Sequence, residues 1–283
     1  MSSKIQIARL SVLSNSFLIT IKLAAGVISG SVSIISEAIH SAMDLIASLI
    51  ALFSVKVSDN PPDSRHPYGH GKVENVSGVI EGILILAAAV WIIAESVKKM
   101  AGGSMVVESL GLGSLVMLVS AIINSIVSGK LYRVAKATGS VALEADALHL
   151  KTDVYTSLGV AAGLGLIILT GIHWFDPLIA ICIALLIIRE AVILIKKAFR
   201  PLLDEAWPDD EIKKLEMMLN SMDVNYHDLR TRISGNYRFI DFHIGIPKDK
   251  SVEDAHTYCD SIEETLKSKF DKLNITIHVE PEP

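Results

Sequence analysis

The sequence predicts a membrane all-α bundle of six transmembrane helices, followed by a small C-terminal α+β domain of αββαβ order. Three observations predict it. Apolar runs long enough to cross a hydrocarbon core recur six times before residue 200. Hydrophobic residues make up 51% of the 283 residues and the mean hydropathy is +0.46, above the usual range of soluble domains. After Arg200 the texture turns polar, with ordinary globular patterning.

The predicted spans lie near 7–29, 33–56, 76–99, 112–132, 146–170 and 177–198, so residues 1–203 form one membrane domain and 204–283 a second domain. The N-terminal stretch has a basic start, no clear small-residue cleavage site and a long apolar run. It reads as the first membrane helix and not as a removed signal. Only Ser29-Gly30-Ser31 separates the first two spans, which makes them antiparallel neighbours. Pro177 opens the sixth span, where a first helical turn tolerates it.

Lys4, Arg9, Lys56, Arg65, Lys72, Lys130, Arg133, Lys136, Lys196, Lys197 and Arg200 fall at one set of helix ends, against Lys98 and Lys99 at the other. The bias predicts a multi-pass membrane protein with both termini cytoplasmic, and its size and compactness suit a bacterial-type inner (plasma) membrane. A net charge of -5 argues against a nucleic-acid partner, which asks for a basic face. Cys182 and Cys259 are too far apart in sequence and texture to suggest a disulfide framework.

In the polar tail, 209–222 reads as a helix opened by Pro208 and acidic residues. Segments 227–233 and 239–246 read as strands turned by Ser234-Gly235-Asn236, 252–270 as an amphipathic helix and 275–279 as a last strand. A domain this short builds a limited core, so self-association through it is expected.

An internal repeat carries the chemistry. Residues 30–49 align without a gap to residues 139–158. Gly30/Gly139, Ser31/Ser140, Val32/Val141, Ala38/Ala147, His40/His149, Asp44/Asp153, Ser48/Ser157 and Leu49/Leu158 are identical, and Glu37 faces Asp146. The second and fifth spans are therefore copies in this stretch. Each places His and Asp four residues apart, on one helix face and one turn from each other.

Two such helices side by side offer two imidazoles and two carboxylates, a complete shell for a tetrahedral, borderline-soft divalent ion. The set suits zinc, with cobalt, iron(II) or cadmium as alternatives. Cu(I) would want sulfur, and magnesium or calcium oxygen alone. Ionisable residues inside a membrane are costly and functional by default, although helix pairing or proton relay are also roles they fill. Glu37 and Asp146, one turn before each His, either orient ligands, relay protons or line the pathway mouth.

Elsewhere, Asp63, His66 and His70 lie between the second and third spans at spacings of three and four. They read either as ligands to one ion or as an exposed polar loop. His227, His243, His256 and His278 fall in the tail, and His278 and Glu280 share one strand face. His173, in an outer loop, reads as incidental.

The segment His66-Pro67-Tyr68-Gly69-His70-Gly71-Lys72, with Glu74 two residues on, is followed by Ala145-Asp146-Ala147-Leu148-His149 and Asp153. Together they resemble the cation diffusion facilitator family, over essentially the whole chain. The resemblance implies a ferredoxin/metallochaperone-like cytoplasmic tail that dimerises and senses metal, and a homodimer. It implies a transport site at His40, Asp44, His149 and Asp153 between the second and fifth spans. His at the first of these positions goes with zinc preference, Asp with broader use.

It further implies a loop site at Asp63, His66 and His70, and tail ligands at His227, His243, His256, His278 and Glu280. Glu280 stands where close relatives carry Asp. Lys72 and Asp204 match a charge interlock at the dimer interface. Function then follows as Zn2+/H+ antiport by alternating access in the lipid bilayer, with Zn2+ as substrate and regulator. The alternatives are Fe2+, Mn2+, Co2+ or Cd2+ transport, or a membrane metal sensor that does not transport. A membrane metallohydrolase would want an H-E-x-x-H helix, which is absent.

Overall fold

The computed structural model describes residues 3–29, 32–102, 112–171, 174–235 and 237–282. His173 and Asn236 lie outside these residues. The order is α1 (Ser3–Ser29), α2 (Val32–Ser58), α3 (Lys72–Gly102), α4 (Leu112–Thr138), α5 (Val141–Thr170), α6 (Phe175–Phe199), a 3-10 turn (Arg200–Leu203), α7 (Asp209–Ser221), β1 (Tyr226–Ser234), β2 (Tyr237–Ile246), α8 (Val252–Lys267) and β3 (Leu273–Pro281). Helices and strands thus follow the predicted αββαβ order in the tail. The chain divides into two units, 1–61 with 73–199 and 62–72 with 200–283. The loop between α2 and α3 therefore folds with the tail.

In the first unit the helices run beyond the apolar stretches that predict them. An apolar run marks only the part of a helix that meets hydrocarbon, whereas the hydrogen-bond ladder continues through polar residues. Hence α2 extends to Ser58 and α5 begins at Val141. Five helices are long and apolar enough to cross a membrane: Ser3–Ile28, Ser41–Ser58, Lys72–Lys98, Leu115–Thr138 and Pro177–Leu203, counted among the described residues. The sixth, α5, has 30 residues, about 45 Å of helix, and gathers Glu144, Asp146, Lys151 and Asp153 in its first half.

α5 lies against α2, α4 and α6, and α1 against α2 and α4. Ala8, Val55, Val127, Leu131, Ala142, Leu143 and Leu150 form the core shared by α1, α2, α4 and α5. Ile85 and Ala89 of α3 meet Ala145 of α5 and Ile187, Ala191 and Leu194 of α6 in a second one. A Cβ on Gly82 would stand 2.5 Å from Ile195 Cγ1, so this glycine sets the approach of α3 to α6. Leu13, Phe17, Ile80, Trp91, Leu118, Ile122 and Leu185 face outward, as lipid contact requires.

At one end of this unit a buried polar knot ties four elements. Lys4 Nζ reaches Asp59 Oδ1 and Glu74 Oε1, each at 2.8 Å. Ser58 Oγ donates to Glu74 Oε1 at 2.6 Å, and the Ser140 hydroxyl donates to Glu74 Oε2. Gly139, at φ +66°, ends α4 and lets Ser140 open α5 next to the start of α3.

The second unit is a three-stranded sheet of order β1-β2-β3, antiparallel then parallel, with α8 as the crossover. Ile240, Phe242 and Ile244 alternate inward against Leu215 and Leu219 of α7 and Ile262 and Leu266 of α8. Trp207 closes the core, donating Nε1–H to the Arg232 carbonyl at 3.1 Å. Ser251 and Asp254 cap α8 reciprocally. The 62–72 loop lies on this domain. Tyr68 meets Phe239 edge-on at 5.6 Å, and Arg232 stacks 4.9 Å from the Tyr68 ring. A Cβ on Gly71 would stand 2.6 Å from the Ser234 carbonyl oxygen, so only glycine passes there.

Candidate metal centres

Within the bundle, the repeat brings its copies together as α2 and α5. Asp44 is 4% exposed, and its Oδ1 lies 3.0 Å from His149 Nε2. Asp153, one turn further along α5, receives Asn124 Nδ2 at Oδ2 at 3.3 Å. Asn15 Nδ2 donates to the Asp44 carbonyl at 3.3 Å, and Ser128 Oγ to the Ala147 carbonyl at 2.7 Å. These bonds fix α1 to α2 and α4 to α5 beside the predicted ligands. His40 and Glu37 occupy α2, His40 one turn before Asp44, but their side chains lie outside the described residues.

Sequence reading missed Glu81. It is fully buried on α3, where Ser77 Oγ donates to its Oε1 at 3.0 Å. An ionisable residue inside the apolar run 76–99 was the signal that marks it. Asp146, also fully buried, stands within charge range of Glu81 and His149.

In the 62–72 loop the three predicted residues converge. Asp63 Oδ1 accepts from the backbone N–H of Arg65 at 2.8 Å and of His66 at 2.7 Å, an Asx turn. His66 Nδ1 and His70 Nε2 each lie 3.3 Å from an Asp63 oxygen. The ligand atoms of all three fall within 4.8 Å of one another. The backbone bond from His66 leads in holding the Asp63 carboxyl below its ordinary range, so it is an ionised donor at neutral pH.

Across the tail sheet, register places His227 beside His243 and His243 beside His278. Glu280 sits among them. Its Oε1 is 3.1 Å from His243 Nδ1 and 3.6 Å from His278 Nε2, and its Oε2 is 3.3 Å from His227 Nε2. Two sets keep their ligand atoms within 4.8 Å: His243, His278 and Glu280, and His227, Asp228 and His243.

Asp228 was not predicted. Strand alternation assigns it to the face opposite His227, but the register shifts between His227 and Arg230, and Asp228 takes φ +49° there. His256 does not join the cluster within this chain. It lies on α8, 76% exposed at its side chain, 3.6 Å from Asp260. Lys72 Nζ and Asp204 Oδ1 pair at 2.9 Å within the chain, and Arg232 shares that oxygen at 3.4 Å. The Lys72 bond leads in lowering the Asp204 carboxyl below its usual range.

Residues 8–203 match the cation efflux transmembrane domain, and residues 207–282 the cytoplasmic domain of cation efflux proteins. An uncharacterized transporter of Synechocystis sp., sll1263, is 32% identical over 264 residues, 92% of this chain and 85% of its own. The cation-efflux pump FieF of Yersinia enterocolitica is 33% identical over 94% of this chain and 89% of its own. A solved structure of CzrB in its Zn form is 38% identical, covers 28% of this chain and 93% of its own, and has a TM-score of 0.25.

Proposed function

Since the chain belongs to the cation diffusion facilitator family of cation efflux transporters, we propose that it exports a divalent transition metal, zinc first, in exchange for protons. The observation that carries this reading is the buried Asp44–His149 pair, with Asp153 one turn on, held between two helices of membrane-spanning length. Imidazole with carboxylate is a donor set for zinc, and Fe2+, Mn2+, Co2+ or Cd2+ are the alternatives. His40 completes the set by its place in the repeat.

Ligation needs neutral imidazole and ionised carboxylate, so protons compete with metal for the same atoms. Release of the ion on one side therefore goes with proton uptake, and alternating access around α2 and α5 turns that competition into antiport. The excess of Lys and Arg at one set of helix ends puts both termini in the cytoplasm of an inner-membrane protein. The His227, His243, His278 and Glu280 cluster then samples cytoplasmic metal, and the tail joins two copies as a homodimer. His256 serves as a ligand only if a second copy supplies the rest of its shell. The Lys72–Asp204 pair, at the start of α3, is the charge interlock of the dimer.

A metal sensor without transport is the second reading, favoured by the preformed clusters outside the bundle. Flux separates the two. In proteoliposomes with an imposed pH gradient, wild-type protein moves zinc in proportion to the gradient, and Asp153→Ala abolishes the movement. Near wild-type flux in Asp153→Ala refutes the site, and tight binding without flux of zinc, cadmium, iron(II) or manganese favours the sensor.

A further inference from the structure

We propose that Glu81 and Asp146, with the Ser11 hydroxyl, form a second intramembrane site, which holds a hydrated divalent cation beside the Asp44–His149 pair. Ser11, Glu81 and Asp146 come from α1, α3 and α5, and all three residues are fully buried. Among the described residues, Glu81 Oε2, both Asp146 carboxyl oxygens and Ser11 Oγ have no hydrogen-bond partner, and neither has His149 Nδ1. Ser11 Oγ lies beside Asp146 without the geometry of a hydrogen bond. Glu81 is within charge range of both Asp146 and His149.

Buried polar atoms in native proteins are paired, and an unpaired one is costly. Glu81 lies near enough to Asp146 and His149 for their charges to interact, and Ser11 lies beside Asp146, so one bridging partner can serve them together. Neutral carboxylic acids add at most two donors among these atoms, so water or an ion is still needed to complete the set. A cation with its water shell resolves it: the charge balances two carboxylates, and the waters donate to the oxygens. The donors are oxygens with one imidazole nitrogen, which a divalent cation accepts. This set is not among those whose ligand atoms converge within 4.8 Å in the described residues, so the ion is held through water and not by direct ligation.

The site's position gives it a role, and that role rests on the transport reading, whereas the binding does not. α3 and α5 begin at the same end of the bundle, where Glu74 holds Ser140. Asp146 comes one turn before His149 along α5. An ion entering from that end meets Glu81 and Asp146 first, and sheds water on passing to His149, Asp44 and Asp153. The two nitrogens of an imidazole point away from each other. With Nε2 turned to Asp44, Nδ1 faces away from the inner site, which leaves His149 between the two.

The test counts zinc by equilibrium dialysis on the full-length protein in detergent. The parent carries Asp44→Asn and Asp153→Asn, which removes the inner site. Adding Glu81→Gln and Asp146→Asn is expected to lose one further zinc per chain, with elution and cooperative melting retained. An unchanged count overturns the proposal. Glu81→Asp guards against a fold defect. It keeps the equivalent if the carboxylate binds the ion, and if it loses zinc as completely as the double variant, side-chain length is what matters and the proposal falls. In flux assays Glu81→Gln raises the KM for zinc more than it lowers kcat, and a pure kcat loss counts against the entry role. Absence of flux in the wild-type protein, with the zinc difference intact, refutes the transport reading and leaves this site standing.

Discussion

Asp63 receives two backbone N–H groups, and these donors act on its charged form alone. Its folded pKa is therefore depressed, and its contribution to loop stability is present above the ordinary carboxylate value and lost only as pH falls through the lowered folded value. Asp63 is therefore ionised at neutral and mildly acidic pH. In protein carrying Glu280→Ala to silence the tail cluster, a pH series of zinc affinity at the loop is expected to show no carboxylate step above about pH 4. A separate carboxylate step above about pH 4 would contradict the assignment. Asp63→Asn keeps an acceptor for the turn but removes the charge, so titration calorimetry should show loop affinity roughly tenfold or more weaker, with the melting temperature nearly unchanged. Glu280 makes the same point by length: its extra methylene, relative to Asp, accompanies contacts to three histidines at once.

Helix ends, more than helix centres, join the elements of the bundle. Glu74 at the start of α3 accepts from Lys4 of α1, Ser58 of α2 and Ser140 before α5. Both charges are almost inaccessible, with Lys4 side chain 6% and Glu74 side chain 7% exposed. Removing Lys4 leaves Glu74 buried without a cation, at about 3–5 kcal/mol, whereas removing Glu74 leaves Lys4 its Asp59 partner and costs about 1–3 kcal/mol through the lost bonds and unpaired hydroxyls. Glu74→Ala should lower thermal stability by that order, and Lys4→Met combined with Glu74→Leu should recover a large part of it. A double variant no better than Glu74→Ala would show that the hydroxyl bonds, and not the ion pair, hold the knot. At this scale the sequence was readable where one period repeats. Matched His-x-x-x-Asp spacings identified α2 and α5 as partners because helical geometry alone puts those side chains on one face. It was unreadable where a contact is non-local: nothing local in Asp63 to Lys72 says that Gly71 threads past Ser234, which seats the loop on the tail. Asp228 escaped because a bulge breaks strand alternation, and Glu81 because the charged groups near it, Asp146 and His149, lie on α5, which one apolar run cannot name.

At the scale of the whole molecule, the chemistry lies in two kinds of surroundings. The bundle residues Asp44, His149 and Asp153 share hydrogen bonds with neighbouring helices, so an ion bound there would exchange only when helices move. The tail donors lie on the open face of a sheet whose other face carries the core, with His227 and His278 side chains 53% and 61% exposed. Metal can reach them without any rearrangement of the fold. An open, charged sheet face is a poor place for a metal to stay half-ligated, and His256, on α8 and apart from the others, is a donor without a shell. On the proposed reading, a second copy of the tail would supply both what the cluster lacks and what His256 lacks. Zinc should therefore shorten the distance between the two tails of a homodimer, read as a shift in pulsed electron spin resonance between labels on exposed α7 positions such as Lys213. Glu280→Ala, which removes the carboxylate common to three histidines, should abolish the shift while leaving each tail folded, since its core is built from Ile240, Phe242, Ile244 and the helices behind them. His256→Ala should reduce the shift if that residue ligates across the dimer. An unchanged zinc response in His256→Ala would restrict the bridging to the sheet residues, and an unchanged response in Glu280→Ala would remove the tail cluster from metal sensing altogether.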